Sequence, residues 1–206
     1  VQTCALPILS EIRDGTSYDC DASEETIAFP TLPSTGTTRI ATISLVDHTL
    51  RKKAVMGASS EAYFLADSLW LAQSSTGYTN QDFTGLWKWS FEGGTPEPQA
   101  IGAIEGSLGS PLGVAEHKGV LRIAQTITHW DTQEEDEVWA TGSHQEQWVK
   151  TLGVEEDQVV ELGRLELPAP EDHSIQAARF YGDRAYLITY AQQDPLFVVD
   201  LSHPEN

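Results

Sequence analysis

Residues Ala177 to Leu201 read AARFYGDRAYLITYAQQDPLFVVDL. Ala177-Ala178-Arg179-Phe180 has strand character, and so does Ala185-Tyr186-Leu187-Ile188. Between them lie Gly182 and Asp183. A short turn between two apolar runs is a hairpin signal. The same pattern occurs twice upstream. Ala62-Tyr63-Phe64-Leu65 leads through Asp67-Ser68 into Leu69-Trp70-Leu71-Ala72. Leu112-Gly113-Val114-Ala115 leads through Lys118-Gly119 into Val120-Leu121-Arg122-Ile123.

A second pattern alternates with the first. RIATISL (Arg39–Leu45), LWKWSF (Leu86–Phe91), QWVKTL (Gln147–Leu152) and LFVVDL (Leu196–Leu201) carry β-branched and aromatic residues at period two. That spacing reads as half-buried strand. Trp87, Trp89 and Phe91 then share one face, which marks them as core rather than as a sugar-stacking platform. Each of the first three runs is followed by a turn and another strand, such as Lys53-Ala54-Val55-Met56 or Val160-Glu161-Leu162-Gly163. The order is four strands per unit. Units are expected at about Thr37–Ser75, Thr84–Thr128 and Glu146–Gln193, with a fourth opening at Pro195.

Four short antiparallel strands at a period of roughly 40–50 residues are the signature of a β-propeller blade. One four-stranded sheet cannot bury both apolar faces alone, whereas radial stacking buries them and leaves only short edges. The expected fold is therefore all-β, a partial β-propeller of about three four-stranded antiparallel blades plus the start of a fourth. A β-sandwich is the alternative. Ser10 to Arg13 reads as one helical turn before Gly15. Ser74–Thr84 and Thr128–Gln145 read as long polar loops.

Val1 to Ile8 (VQTCALPI) back-translate onto a widely used sequencing adapter. The expected division is adapter translation over 1–8, a linker over 9–36 and a truncated propeller domain over 37–206. Cys20 is then the one native thiol, so cysteine usage says little about redox compartment. In 206 residues, 31 acidic side chains face 12 basic ones, for a formal charge of -19. Such a surface repels phosphate backbones and anionic lipid heads. Nucleic acid is excluded as a partner on that ground. No apolar run of about 18 residues is present, so no membrane insertion is expected within the segment.

From Ala178 to Thr189 and from Asp194 to Ser202 the chain resembles a bacterial and archaeal family of secreted proteins. That family carries a C-terminal β-propeller domain distantly related to WD-repeats. Ala115–Ala124 resembles a further strand pair of that family, with His117 and Lys118 standing where it has Tyr and Asp. Thr37–Leu45 resembles its first propeller strand. The motif positions are Glu116, Gly119, Leu121, Arg122, Arg179, Phe180, Gly182, Asp183, Asp194, Pro195 and Asp200, read as structural. The resemblance implies an extracytoplasmic protein, secreted, periplasmic or on the cell surface, with further blades beyond Asn206. It implies no established reaction.

Candidate chemistry is sparse. Asp183 is expected to bond its own turn backbone and Asp194 to cap a turn, while Asp200 resembles the structural Asp of a WD dipeptide. Arg179 is expected to pair with a nearby carboxylate. Glu116, His117 and Arg122 could cluster across one hairpin. The acidic stretch Asp131–Glu137 offers oxygens for Ca2+ but lacks EF-hand spacing. Otherwise no cofactor is expected. The remaining histidines show no metal-ligand spacing. Trp130 and Trp139 flank the acidic stretch and are candidates for ligand contact. Gly-x-Ser-x-Gly, His-Glu-x-x-His and Cys-x-x-Cys are all missing. No catalytic residue is assigned. The leading reading is a non-catalytic binding or scaffold domain for a protein or carbohydrate ligand. The alternative is a hydrolase or lyase for polysaccharide or peptide, using Arg179, Asp183 and Glu116 at the channel mouth.

Overall fold

The computed structural model describes residues 10–13, 16–19, 27–28, 36–57, 59, 61–65, 68–76, 82–91, 94–108, 113–135, 138–168, 174–189 and 196–205. For 10–28, Met56, Thr76 and 130–142 the description is of backbone alone. Strands β1 (Ser10–Arg13) and β2 (Thr16–Asp19) form an antiparallel hairpin. The expected helical turn at Ser10 is therefore a strand. Four residues are too few for helix nucleation to be repaid, whereas the hairpin pairs every one of them. A leading sheet joins β3 (Ile27–Ala28), β5 (Leu50–Met56) and β4 (Thr37–Ile43).

Two four-stranded meanders follow. The first blade comprises β6 (Glu61–Phe64), β7 (Ser68–Thr76), β8 (Asp82–Ser90) and β9 (Glu97–Glu105), each antiparallel to the next. A short β10 (Ser107–Leu108) crosses to the second blade. That blade comprises β11 (Val114–His117), β12 (Val120–Glu135), β13 (Val138–Glu155) and β14 (Gln158–Glu166). The third blade has β15 (Ile175–Tyr181), β16 (Arg184–Thr189) and β17 (Leu196–Asp200). The outer strands β9 and β14 touch in parallel at Ile101 and Gln158.

The architecture is the expected partial propeller, but the expected units are displaced by two strands. The recurring hairpin opens each blade instead of closing it. Period fixes how often a blade recurs, whereas hydrogen bonding fixes where it starts. Two expected loops also contain strand. Residues 74–76 and 82–84 extend β7 and β8. Residues 128–135 and 138–145 extend β12 and β13 into a long two-stranded ribbon.

The core lies between the blades in three layers. Ile40 and Val55 of the leading sheet pack on Leu69, Leu71, Trp87 and Trp89 of the first blade. The opposite face of that blade presents Tyr63, Trp70, Leu86 and Ile104 to Leu121, Ile123 and Leu152 of the second. Ala124 and Val149 on the second blade's other face meet Ala178, Ala185, Leu187 and Val199 of the third. Neighbouring residues on one strand thus serve opposite interfaces, as period two requires. The expected core role of Trp87, Trp89 and Phe91 is met in the first layer.

Gly106 links the first two blades. Its backbone sits at φ +87°, its N–H donates to the Asp82 carbonyl at 2.7 Å, and its own carbonyl accepts from Thr84 Oγ1 at 2.7 Å. A Cβ there would stand 2.7 Å from Gln125 Nε2 and 2.8 Å from Ile127 Cγ1. Left-handed backbone costs a non-glycine residue about 1–2 kcal/mol before any clash. Gly106→Ala is expected to lose at least about 2 kcal/mol once the overlap is added. A urea midpoint series would read it.

Candidate functional site: the polar seams between blades

Two charged clusters sit where consecutive blades meet. Glu116 projects from β11 toward the first blade. Its Oε1 lies 2.8 Å from Lys88 Nζ on β8. Its Oε2 accepts from Ser68 Oγ and from Trp70 Nε1, the latter at 3.2 Å, both on β7. Lys88 also stands 5.3 Å from the Trp70 ring centroid, a cation–π distance. The Glu116 and Lys88 side chains are only 15% and 16% exposed. Burial pulls the Glu116 carboxyl upward, yet the bonds from Lys88, Ser68 and Trp70 together hold it below its usual value.

The second cluster joins the second and third blades. Lys118 and Gly119 make the β11–β12 turn with φ of 54° and 81°, the double left-handed geometry of a tight hairpin. That turn delivers His117 Nε2 and Lys118 Nζ to Asp183 Oδ1, each at 3.3 Å. Arg122 Nη2 lies 3.5 Å from the same oxygen. Arg122 is nearly fully buried and also donates to the carbonyls of Gly182 and Leu201. Lys118, followed by His117 and Arg122, keeps the Asp183 carboxyl below its ordinary value.

These seams rearrange what the sequence suggested. Glu116, His117 and Arg122 do not form one cluster across their own hairpin. Alternation sends Glu116 back to the first blade and Arg122 forward to the third. Asp183 binds cations of the neighbouring blade in place of its own turn. Arg179 is exposed on β15 and has no carboxylate partner among the described residues. Leu121 is a core residue between the first two blades, and the half-buried Phe180 packs against the next layer. Asp200 accepts from the Ser202 N–H at 2.9 Å. Asp194 and Pro195 lie outside the described residues. Trp130, Trp139 and Asp131–Glu135 are placed by backbone in the ribbon, and their side chains lie outside the description, as do residues 136–137. The Ca2+ expectation falls there.

Position in the hairpin explains the seams. Counting outward from the turn, Trp70, Arg122 and Tyr186 occupy the same cross-strand pair, opposite Tyr63, Ala115 and Arg179. Trp70 reaches the second blade and Arg122 the third.

A further group was not anticipated. His129 on β12 faces His144 on β13 in register, and Glu146 follows two residues on, along the same face. The imidazoles stack with centroids 4.8 Å apart and planes 18° apart. His129 Nε2 lies 3.2 Å from Glu146 Oε2. Glu146 Oε2 accepts from Trp148 Nε1 at 2.9 Å, and Arg164 covers the Trp148 ring at 5.6 Å. Trp148 first, then His129, hold the Glu146 carboxyl below its usual value against some burial.

A family model described as a β-propeller domain matches residues 4–206. The chain belongs to this family. An uncharacterized protein of Methanocaldococcus jannaschii is 31% identical over 105 residues, which cover 51% of this chain and 15% of that protein. An uncharacterized protein of Archaeoglobus fulgidus is 30% identical over 110 residues, covering 53% of this chain and 15% of its own length. No solved structure matches at a significant level. This β-propeller chain therefore spans a small part of the curated relatives it resembles. Among its described residues no helix is long and apolar enough to cross a membrane.

Proposed function

We propose that this β-propeller segment is a non-catalytic binding or scaffold element of an extracytoplasmic protein. Its ligand is a protein or a carbohydrate. The observation that carries the reading is the use made of Glu116 and Asp183. Both are ionised and bound to cations of an adjoining blade. A general acid needs a pKa raised toward neutrality, and these are held the other way. The extracytoplasmic setting rests on the family resemblance of the third blade. Charge supports a neutral or cationic partner. Lys88, Arg122 and Lys150 are largely removed from solvent, so the accessible surface is more acidic than a net -19 suggests.

The test is a paired assay of the full-length protein against polysaccharide and peptide libraries, read for saturable binding and for product. Binding without turnover is the expected result. Turnover abolished by Asp183→Ala or Glu116→Ala, with the melting midpoint kept, would establish the hydrolase or lyase instead. Cell fractionation with surface protease treatment checks the location, and recovery in the cytoplasmic fraction would refute it.

A further inference from the structure

We propose that His129, His144 and Glu146 form a zinc-binding site at the root of the β12–β13 ribbon. The donor atoms of these three residues all lie within 4.8 Å of one another. Two imidazoles and one carboxylate are a sufficient protein set for four-coordinate Zn2+ with water in the last position. Tetrahedral donors at about 2.0–2.1 Å from the metal stand roughly 3.4 Å apart. The His129–Glu146 separation of 3.2 Å already meets that spacing. His144 stands opposite His129 in the strand register, with its ring stacked on the same side of the ribbon.

Three further features favour a ligand. His129 Nε2 is shut off from water and faces Glu146 Oε2 at 3.2 Å without hydrogen-bond geometry. A buried ring nitrogen left in that state costs stability unless something coordinates it. Trp148 donates to Glu146, and Arg164 lies over Trp148, so the carboxylate is oriented from behind as ligating carboxylates usually are. The side chains of His129 and Glu146 are 29% and 31% exposed, which leaves an ion a way in.

The placement gives the site a role. β14 pairs with β13 no further out than Trp148, and β10 pairs with β12 no further out than Thr126. Beyond those points β12 and β13 pair with each other up to Glu135 and Val138. A two-stranded ribbon is marginal in water. A metal bridging its two strands at the root would staple the ribbon and fix its direction from the blade.

The experiment uses the 206-residue chain, stripped with chelator and titrated at pH 7.5 with Co2+ as a spectroscopic probe, then with Zn2+. One equivalent of Co2+ with the visible d–d absorption of a four-coordinate ion, displaced by Zn2+, is expected. His144→Ala and Glu146→Gln are each expected to weaken Zn2+ at least tenfold. Slower amide exchange over 127–146 on adding Zn2+ would accompany binding. In wild-type protein, NMR should show two imidazoles shifting with Zn2+, which needs no variant to fold. Unchanged Zn2+ affinity in His129→Ala/His144→Ala would overturn the proposal, as would a shift of other histidines instead. The lack of any saturable binding would do the same.

Discussion

Replacing Trp89 by alanine is expected to cost about 3–5 kcal/mol, a large share of the roughly 5–15 kcal/mol that a domain holds in reserve. The indole is completely buried in the layer joining the leading sheet to the first blade, beside Trp87, Leu69 and Leu71. Collapse into the gap is limited, because β8 is held on both sides by its pairing with β7 and β9. Trp89→Phe separates two contributions. It loses part of the ring but also removes an indole N–H that is buried without a partner. An unpaired buried donor costs about 1–3 kcal/mol, so the phenylalanine variant is expected to lose less than about 2 kcal/mol. Urea midpoints at constant slope would read both. A Trp89→Phe loss well above about 2 kcal/mol would mean the N–H is satisfied in solution.

Lys88→Met is expected to lose about 1.5–3 kcal/mol at neutral pH, the worth of a hydrogen bond to a charged group. It leaves the Glu116 carboxylate facing only Ser68 and Trp70 in a site with little water. The pH dependence fixes the sign. In the wild type Glu116 titrates below its usual 4.5 in the folded state. The unfolded chain therefore binds more protons in that window, and stability rises with pH through it. The contribution is complete above pH 4.5 and fades as pH falls through the folded value. Asp183, Asp200 and Glu146 are depressed as well and slope the same way. The measurement is hence the difference between wild type and Lys88→Met from pH 3 to 6. It should grow with pH and then level off. A difference independent of pH would place the cost in packing of the lysine stem.

The blades were legible because apolar alternation and the tight turns are local signals. Gly119 and Gly182-Asp183 announce their hairpins through residue types that tolerate such turns. Trp87-x-Trp89-x-Phe91 announces a buried face. The starting point of each blade was not legible, because every strand looks alike to a period and only pairing tells first from last. The seams were hidden for a related reason. Glu116 and Lys88 are 28 residues apart, and Arg122 and Gly182 are 60 apart. The histidine pair carried a faint mark, His144-x-Glu146-x-Trp148, spaced for one face of a strand. Reading 128–145 as a loop removed the strand on which that spacing has meaning. The mirror positions of His129 and His144 about residues 136–137 follow only once the ribbon is known.

The shared position of Trp70, Arg122 and Tyr186 gives the stack a direction. From that position Trp70 and Arg122 each donate to an acceptor on the following blade. Contacts of this head-to-tail kind are heterologous: the surface a blade offers differs from the surface it receives. Repeated with a constant rotation, such a contact yields a closed ring when the angle divides a full turn and an open helix when it does not. Blade number is then a property of seam geometry, shared among residues such as Arg122 and Glu116, and no single blade contains it.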